Sequence, residues 1–364
     1  MAIALRDKGY CVSVLSSFPL YPNWKPERTS EKISGIEIKR GGLYIRYSTN
    51  PFLRRAILEL WYGIYVLIYV LKNRKSIDFV LPVFPPSLAF YVTSILYKKK
   101  TIKIGMIHDL QEVYSNGKRG FLNQVVSYFI NKIEGKAFRN CDTLLFLSNE
   151  MKETAKELYK LSEDKLVVQY PFANINNENT TDILNNILPQ DKIHIVYSGA
   201  LSEKQNPLGL YAFYDFASKK IENCQFHIFS QGDIFNSLKK SNKNSLIFFH
   251  DLVPKESLSE LYLKSTVQIV PQLPGTSIGS LPSKLPNLLI SKCKTLVITD
   301  SGGEIEKLFK KYDLEKVVTS WDNNNLLNSL LDLLNNEKTI DDEKVEVLKG
   351  IFSLESMVNK MNLK

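Results

Sequence analysis

The second half of the chain alternates short apolar runs with longer segments whose apolar residues recur at helical spacing. Continuous apolar runs are typical of strands that are covered on both faces of a parallel sheet. The predicted strands are residues 193–197, 226–229, 246–249, 267–270, 296–299 and 317–319. Since a helical segment separates each strand from the next, the pattern predicts an α/β fold with right-handed crossovers.

The first half shows the same alternation. Strands are predicted at residues 10–15, 78–83, 101–107, 143–147 and 166–170, with helices at 121–139 and 150–160. Residues 33–44 alternate apolar and polar positions, which predicts a hairpin or an edge strand. A strand preceded only by the end of a helix is unusual for a doubly wound sheet, so a first strand and its Gly-rich turn are expected upstream of the given start.

A stretch rich in Asn and Thr, residues 173–190, lies between the two halves and is predicted to link two domains. The predicted domains are residues 1–172 and 191–345. Residues 346–364 are predicted to form a terminal helix that crosses back to the first domain. A chain of 364 residues is long enough for two domains that each have a core.

The net charge of +9 suits an anionic membrane surface or a phosphorylated substrate. Basic residues flank the apolar stretch 56–71, which is shorter than the roughly 20 residues of a membrane span and is predicted to be a buried or interfacial helix. No basic run has the composition of a groove reader, so nucleic acid is not expected as a partner. The four scattered cysteines have no metal or redox spacing, which fits reduced thiols in a cytoplasm.

Several polar residues of the second half follow predicted strands. Gly199, Lys204, Gly232, Ser283 and Lys284 therefore lie at one edge of the predicted sheet, where ligands of such sheets bind. Several glycines with two lysines at one edge favour a phosphate pocket.

A helix is predicted to begin near Ser283, because proline is tolerated only in the first helical turn and Pro286 follows closely. The backbone N–H groups of Ser283, Lys284 and Leu285 would then be free to bind an anion. The alternative is an ordinary helix start that Ser283 caps, with Lys284 solvated.

His108 and Asp109 directly follow the predicted strand 101–107. A His-Asp pair at the carboxyl end of a strand is a candidate catalytic site. The alternative interpretation is that the pair caps the following helix.

The order of these motifs resembles a known family. The motifs are the FPLYP loop, the strand ends in PPS and in His108-Asp109, the loop from Ser198 to Gln205, Ser230-Gln231-Gly232, and Pro282-Ser283-Lys284-Leu285. Together they resemble family-4 retaining glycosyltransferases of the GT-B fold, and within them the branch that transfers fucose-type or acetamido-deoxy sugars in bacterial surface polysaccharide synthesis.

The resemblance implies two facing Rossmann-like domains with parallel sheets, and a nucleotide-diphosphate sugar of the UDP or GDP type as donor. Lys204 and the helix start at Ser283 and Lys284 would take the diphosphate. Gly199, Gly232 and the adjoining Gln231 would lie near the nucleotide, while His108 and Asp109 would face the sugar. No metal or other cofactor is expected. The acceptor would be a polyprenyl-linked glycan, and the enzyme peripheral on the cytoplasmic face of the plasma membrane.

The chain departs from the family pattern at several positions. Gly279 and Asn287 stand where many members have glutamates, and Ala200 stands where an arginine is frequent. The absent first strand leaves open an inactive GT-B protein that binds a nucleotide sugar or a partner. A sugar-nucleotide epimerase is disfavoured because the chain has only four histidines and no clustered carboxylates. NAD binding is disfavoured because no GxGxxG follows a strand.

Overall fold

A computed structural model of the chain describes residues 1–20, 24–29, 32–48, 50–110, 131–174, 183–276, 281–314, 316–336 and 340–361. The chain forms two compact units. The N-terminal unit contains Met1–Tyr170 and Leu354–Lys364, and the C-terminal unit contains Pro171–Ser353.

The N-terminal unit contains parallel strands and helices in alternation. Its strands are β1 (Val12–Ser17), β2 (Ile36–Gly41), β3 (Phe79–Val80), β4 (Val83–Phe84), β5 (Ile102–Ile107), β6 (Thr143–Phe146) and β7 (Leu166–Val168). Its first helices are α1 (Ala2–Asp7), α2 (Pro51–Asn73), α3 (Ser87–Leu96), α4 (residues 131–139) and α5 (Asn149–Tyr159). Of the helix predicted at 121–139, residues 121–130 lie outside the described residues.

The strands of the N-terminal unit belong to two separate sets. β1 and β2 pair in parallel with each other, and the remaining strands follow the order β3-β5-β6-β7, with β4 also paired to β5. β2 is thus an edge strand, and the hairpin predicted as its alternative is wrong. The alternating pattern of residues 33–44 specifies which side chains share a face, but it does not specify the direction of the partner strand.

Aromatic rings fill the core between the β5–β7 strands and the helices that follow them. The ring centroid of Phe138 lies 5.1 Å from that of Phe84, 5.4 Å from that of Phe90 and 4.9 Å from that of Tyr159, all in edge-to-face geometry. Such pairs add to the stabilisation that burial alone provides. Ile107 and Leu110, which flank His108 and Asp109 in the chain, are buried in the same cluster.

The C-terminal unit has one sheet of six parallel strands in the order β10-β9-β8-β11-β12-β13. The strands are β8 (Ile193–Ser198), β9 (Cys224–Phe229), β10 (Ile247–His250), β11 (Val267–Pro271), β12 (Thr295–Ile298) and β13 (Lys316–Val318). The helices are α6 (Pro207–Ser218), α7 (Asp233–Ser241), α8 (Leu258–Lys264), α9 (Leu285–Ile290), α10 (Glu304–Tyr312), α11 (Asn323–Asn335) and α12 (Asp342–Ile351). The predicted α/β fold with parallel sheets is confirmed.

This strand order creates a switch point in the middle of the sheet. The chain adds β9 and β10 on one side of β8, and it then crosses over to add β11, β12 and β13 on the other side. Loops that leave the carboxyl ends of β8 and β11 therefore diverge and open a crevice, which is where such sheets bind ligands.

One face of the C-terminal sheet carries a row of three histidines. His194 Nδ1 lies 3.0 Å from His227 Nε2, and His227 Nδ1 lies 3.1 Å from His250 Nε2. The His194 Nε2 lies 2.7 Å from the carbonyl oxygen of Pro189 and must donate to it, which fixes the tautomer of each ring in turn. Burial lowers the pKa of His227 to about 2 and that of His250 to about 4, so these two rings are neutral at neutral pH, and burial also lowers the pKa of His194.

The two boundaries between the units lie after Tyr170 and after Ser353. Residues 183–190 of the predicted linker pack into the C-terminal unit, since Leu184 and Leu188 are buried and Leu184 N donates to Glu260. Residues 346–351 of the predicted terminal helix belong to α12, which packs on α9. Only α13 (Leu354–Lys360) lies in the N-terminal unit, where it packs on α1.

Candidate functional site

A pocket of about 380 Å³ opens at the carboxyl ends of β8 and β11, at the switch point of the C-terminal sheet. We name it the strand-end pocket. It is lined by Tyr197, Ser198, Gly199, Ala200, Lys204, Gln205, Phe229, Leu252, Val253, Leu258, Tyr262, Val270, Pro271, Gln272, Thr276, Pro282, Ser283, Lys284 and Asn287. Its volume suits a small organic ligand, and its position is the one expected for ligands of an open α/β sheet.

Gly199 ends β8 at the mouth of the pocket. Its φ of +132° lies in a region that side chains rarely adopt, and its N–H donates to the carbonyl oxygen of Phe229 at 3.0 Å. A Cβ at this position would meet nothing within 4 Å. The requirement for glycine is therefore conformational, and the space in front of the backbone is open to a ligand.

The loop after Gly199 holds Lys204 through contacts of its backbone and its neighbours. Ser202 and Gln205 form a capping box, and Tyr197 donates its hydroxyl to the carbonyl oxygen of Ala200 at 2.6 Å. The carbonyl oxygen of Lys204 accepts from Leu273 N at 2.7 Å, which ties this loop to the loop after β11. Lys204 itself is half-buried at the pocket wall.

Lys284 occupies the pocket in a different way. Its ammonium donates to the carbonyl oxygens of Ser198 and Ile269, each at 3.1 Å, and lies 4.2 Å from the ring centroid of Tyr197. Part of the residue reaches the surface, but the ammonium is enclosed, and this burial lowers its pKa to about 7. An ammonium has three donors, and the two carbonyl oxygens take two of them. Lys284 was predicted to be either a phosphate cation or solvated; the solvated alternative is wrong.

The helix start near Lys284 also differs from the prediction. α9 begins at Leu285 rather than at Ser283 and has only six residues, with Pro286 in its first turn. Leu285 is fully buried and its N–H donates to the carbonyl oxygen of Pro282 at 3.0 Å, so it is not a free donor. Ser283 makes no capping hydrogen bond and is exposed at the pocket.

Of three other candidate residues, one lines the strand-end pocket and two do not. Asn287 lines the pocket, and its Oδ1 accepts from the backbone N–H of Asn174 at 2.8 Å. Gln231 and Gly232 follow β9, where Gly232 begins α7 with a φ of +102°, and neither is among the residues that line the strand-end pocket. The positive φ of Gly232 accounts for a glycine at this position.

The pocket also has an apolar wall that was not predicted from the sequence. Phe229, Leu252, Val253, Leu258 and Tyr262 supply it from β9, the loop after β10 and α8. Ring and aliphatic surfaces at the end of a sheet suit a planar, partly apolar group such as a nucleobase. The signal was present in Leu252 and Val253, two apolar residues that come three and four positions after the predicted strand 246–249.

His108 and Asp109 lie in the N-terminal unit, directly after β5. His108 N donates to the carbonyl oxygen of Phe84 at 2.9 Å, which fixes the backbone at this strand end. The residue is exposed, although partial burial of its ring lowers its pKa. The alternative role as a helix cap concerns residues 111–130, which lie outside the described residues.

Solved structures share this architecture. The chain is similar to sucrose-phosphate synthase from Thermosynechococcus elongatus, with a TM-score of 0.73 and 17% identity over 99% of this chain and 89% of that chain. It is similar to WaaG, a glycosyltransferase of lipopolysaccharide biosynthesis, with a TM-score of 0.64 and 11% identity over 100% and 94% of the two chains. It is also similar to a TarM variant from S. aureus solved with UDP, with a TM-score of 0.58 and 14% identity over 83% and 59%.

Sequence comparison adds a family to this fold. Residues 1–177 match the family model Glycosyltransferase Family 4, whereas no curated protein sequence matches. The matched residues are just under half of the chain. The fold is that of GT-B glycosyltransferases such as WaaG and sucrose-phosphate synthase. The family match covers the part of the chain that carries His108 and Asp109, and the strand-end pocket lies beyond it.

Proposed function

We propose that the protein transfers a sugar, with retention, from a nucleotide-diphosphate donor that binds in the strand-end pocket to a lipid-linked glycan. The observation that carries the proposal is the division of this pocket into two walls. One wall has Gly199, Lys204, Ser283 and the enclosed Lys284, and the other has the aromatic and aliphatic side chains from β9, the loop after β10 and α8. A nucleoside diphosphate has the same division into an anionic end and a planar base.

The polar wall suits the chemistry of the departing diphosphate. In the transfer, the bond between the anomeric carbon and the diphosphate oxygen breaks, and the acceptor oxygen bonds to that carbon and loses its proton. Negative charge then grows on the nucleoside diphosphate. We infer that Lys204, the hydroxyl of Ser283 and the ammonium of Lys284, which all line the pocket, stabilise that charge.

The donor base and the acceptor are narrower proposals. The TarM structure contains UDP, which supports a UDP donor here, whereas the alternative of GDP rests on the sequence motifs. WaaG acts in lipopolysaccharide biosynthesis, which supports a role in surface polysaccharide synthesis. The polyprenyl-linked acceptor and the cytoplasmic face of the membrane rest on the sequence motifs as well. The fucose-type or acetamido-deoxy sugar rests on the sequence motifs alone. We keep His108 and Asp109 as candidates for sugar contacts.

Donor binding tests this proposal directly. Titration calorimetry with UDP and GDP should show binding by the wild type and a loss of about 10- to 100-fold for Lys204→Ala, because a charge-assisted contact to the diphosphate is removed. Lys243→Ala, an exposed lysine outside the pocket, is the matched control. Equal affinity of the Lys204→Ala variant and the wild type would remove the diphosphate from this pocket.

Transfer is tested separately by incubating the protein with a panel of nucleotide sugars and a polyprenyl-linked acceptor, and by following the mass of the acceptor. The expected result is a gain of one sugar with the anomeric configuration of the donor. Donor binding without any transfer would favour the alternative of a nucleotide-sugar-binding protein.

A further inference from the structure

Helix α2 of the N-terminal unit presents an apolar stripe to solvent along most of its length. The exposed fractions of its side chains are 50% for Leu53, 60% for Leu60, 48% for Ile64, 48% for Ile68 and 51% for Leu71. At about 100° per residue these five positions lie within about 80° of one another around the helix axis. We name this surface the α2 stripe, and it extends about 27 Å along the helix.

The opposite face of α2 packs against α3 inside the N-terminal unit. Val66 and Val70 are buried in a cluster with α3 residues, and Gly63 lets Leu88 of α3 approach so closely that a Cβ would lie 2.5 Å from its side chain. Glu59 accepts hydrogen bonds from the backbone N–H groups of Ser87 and Leu88, both at 3.1 Å. The only carboxylate of α2 is therefore turned away from the stripe.

The packing of α2 on α3 indicates that α2 lies on a membrane rather than spanning it. Residues Leu53–Asn73 are long and apolar enough to cross a bilayer, with a mean hydropathy of 1.3. Crossing would expose Glu59 and the face that packs on α3 to hydrocarbon, and it would leave the first N–H groups of α3 without their acceptor. A helix that packs one face into the protein core and exposes an apolar opposite face is instead suited to lie in the plane of the membrane–water interface.

Two further features extend the surface. Leu43, Tyr44 and Ile45 are 44%, 55% and 45% exposed in the loop that follows β2. This loop lies beside α2, because Gly42 contacts Trp61 so closely that a Cβ would lie 3.3 Å from the indole ring. Tyrosine and tryptophan are enriched at membrane–water interfaces, where a ring meets the headgroups.

Basic residues gather at the C-terminal end of the α2 stripe. Lys72, Arg74 and Lys75 are exposed there. Lys98, Lys99 and Lys100 are exposed at the end of α3, and the adjoining Tyr97 shares a buried cluster with Val70 near the end of α2. No carboxylate pairs with these six side chains in the described part of the chain.

We propose that the α2 stripe docks on an anionic phospholipid surface, with its apolar side chains among the acyl chains and the basic end against the headgroups. Charge complementarity favours lipid over a second copy of this chain, because the same basic cluster on both partners would repel. The inference deepens the proposed function, since a lipid-linked acceptor is met at a membrane. Its test needs neither donor nor acceptor, so either hypothesis can fail alone.

Vesicle co-sedimentation tests the docking. The wild type should bind vesicles of phosphatidylcholine containing about 30% phosphatidylglycerol, and bind pure phosphatidylcholine at least about tenfold more weakly. The triple variant Leu60→Gln, Ile64→Gln, Ile68→Gln should lose at least about tenfold in binding to the anionic vesicles. These three positions are solvent-exposed, so circular dichroism and thermal melting should be unchanged.

The matched control is the double variant Leu208→Gln, Leu263→Gln, which changes two leucines of the C-terminal unit that are 73% and 63% exposed. It should bind the anionic vesicles like the wild type. The variant Lys72→Gln, Arg74→Gln, Lys75→Gln should lose most of the preference for anionic over neutral vesicles, and its binding should depend less on salt.

Two results would overturn the docking. In the first, the triple variant sediments with anionic vesicles as the wild type does. In the second, the wild type does not bind vesicles but forms a dimer in analytical ultracentrifugation that the triple variant does not form, which assigns the α2 stripe to a second copy of the chain. Neither result bears on whether UDP binds in the strand-end pocket.

Discussion

The two loops that bring lysines to the strand-end pocket hold them in opposite ways. The loop of Lys204 is fixed by a capping box and by its own backbone carbonyl. The loop of Lys284 is fixed by the lysine side chain itself, whose ammonium joins the carbonyl oxygens at the ends of β8 and β11. Two cations that look alike in the sequence are therefore expected to differ, with the side chain of Lys284 contributing more to the stability of the fold than the side chain of Lys204.

Removing the ammonium of Lys284 should have the largest effect. In Lys284→Met the carbonyl oxygens of Ser198 and Ile269 lose their donor, and the free energy of unfolding should fall by about 2–4 kcal/mol. At pH 8 the amine is mostly neutral, because its pKa is about 7, so the variant gains little from losing a buried charge. Urea denaturation with hydrogen exchange resolved on residues 193–298 measures the loss.

Lys204→Met is the control for that experiment. Its free energy of unfolding should fall by less than that of Lys284→Met, because the capping box of Ser202 and Gln205 and the backbone carbonyl of residue 204 still hold this loop after the substitution. The contrast between the loops breaks down if Lys284→Met is as stable as the wild type, or if the two methionine variants lose the same amount.

The pH dependence of UDP affinity should show a smaller effect. Since the pKa of Lys284 is lowered to about 7, its amine is mostly neutral in the free protein above that pH and charged below it. A bound diphosphate favours the charged form, so binding above pH 7 should take up a proton, and affinity should fall by up to about tenfold per pH unit. The terminal phosphate of UDP is already ionised in this range, since its pKa is about 6.

Calorimetry in buffers of different ionisation enthalpy measures how many protons are taken up when UDP binds. Lys204→Ala should bind more weakly and keep the proton uptake, because it leaves Lys284 in place. Binding of UDP without proton uptake between pH 7.5 and pH 9, in about the range where the amine titrates, would show that the diphosphate does not reach the ammonium of Lys284.

Burial of the Lys284 amine also makes the stability of the fold depend on pH. A lysine whose pKa falls on folding stabilises the fold fully above its unfolded pKa of about 10.4. That contribution declines as the pH falls toward the folded value of about 7 and is constant below it. The free protein should therefore lose stability from this group between those two pH values, and bound UDP should offset the loss.

The sequence predicted the sheet of the C-terminal unit and the edge at which its pocket opens. Continuous apolar runs specify buried parallel strands, and residues that follow strands specify the edge. The role of Lys284 was not predictable from the same signal, because the acceptors of its ammonium are backbone carbonyls of Ser198 and Ile269. Every residue has a carbonyl, so nothing in the pattern indicates which ones a lysine will reach.

Contacts between distant segments could not be predicted either, because the sequence pattern does not indicate which partner a residue will reach. The histidine row and the apolar wall of the pocket each join residues from several strands and loops. Each member alone is an ordinary buried residue in its own run. The α2 stripe was partly visible, because basic residues flank an apolar helix in the sequence, but only the packing on α3 shows which face is left exposed.

Asn287 provides the weakest and most selective test of the contrast between the two loops. Its Oδ1 accepts from the backbone N–H of Asn174, which makes it a structural residue of the Lys284 loop although it lines the pocket. Asn287→Ala should lower the free energy of unfolding by about 1 kcal/mol, the typical net value of one such hydrogen bond. UDP affinity should change by less than about threefold, because the side chain's acceptor already serves the fold. A large loss of UDP affinity with unchanged stability would instead show that the Asn287 side chain contacts the ligand and is not needed by the fold.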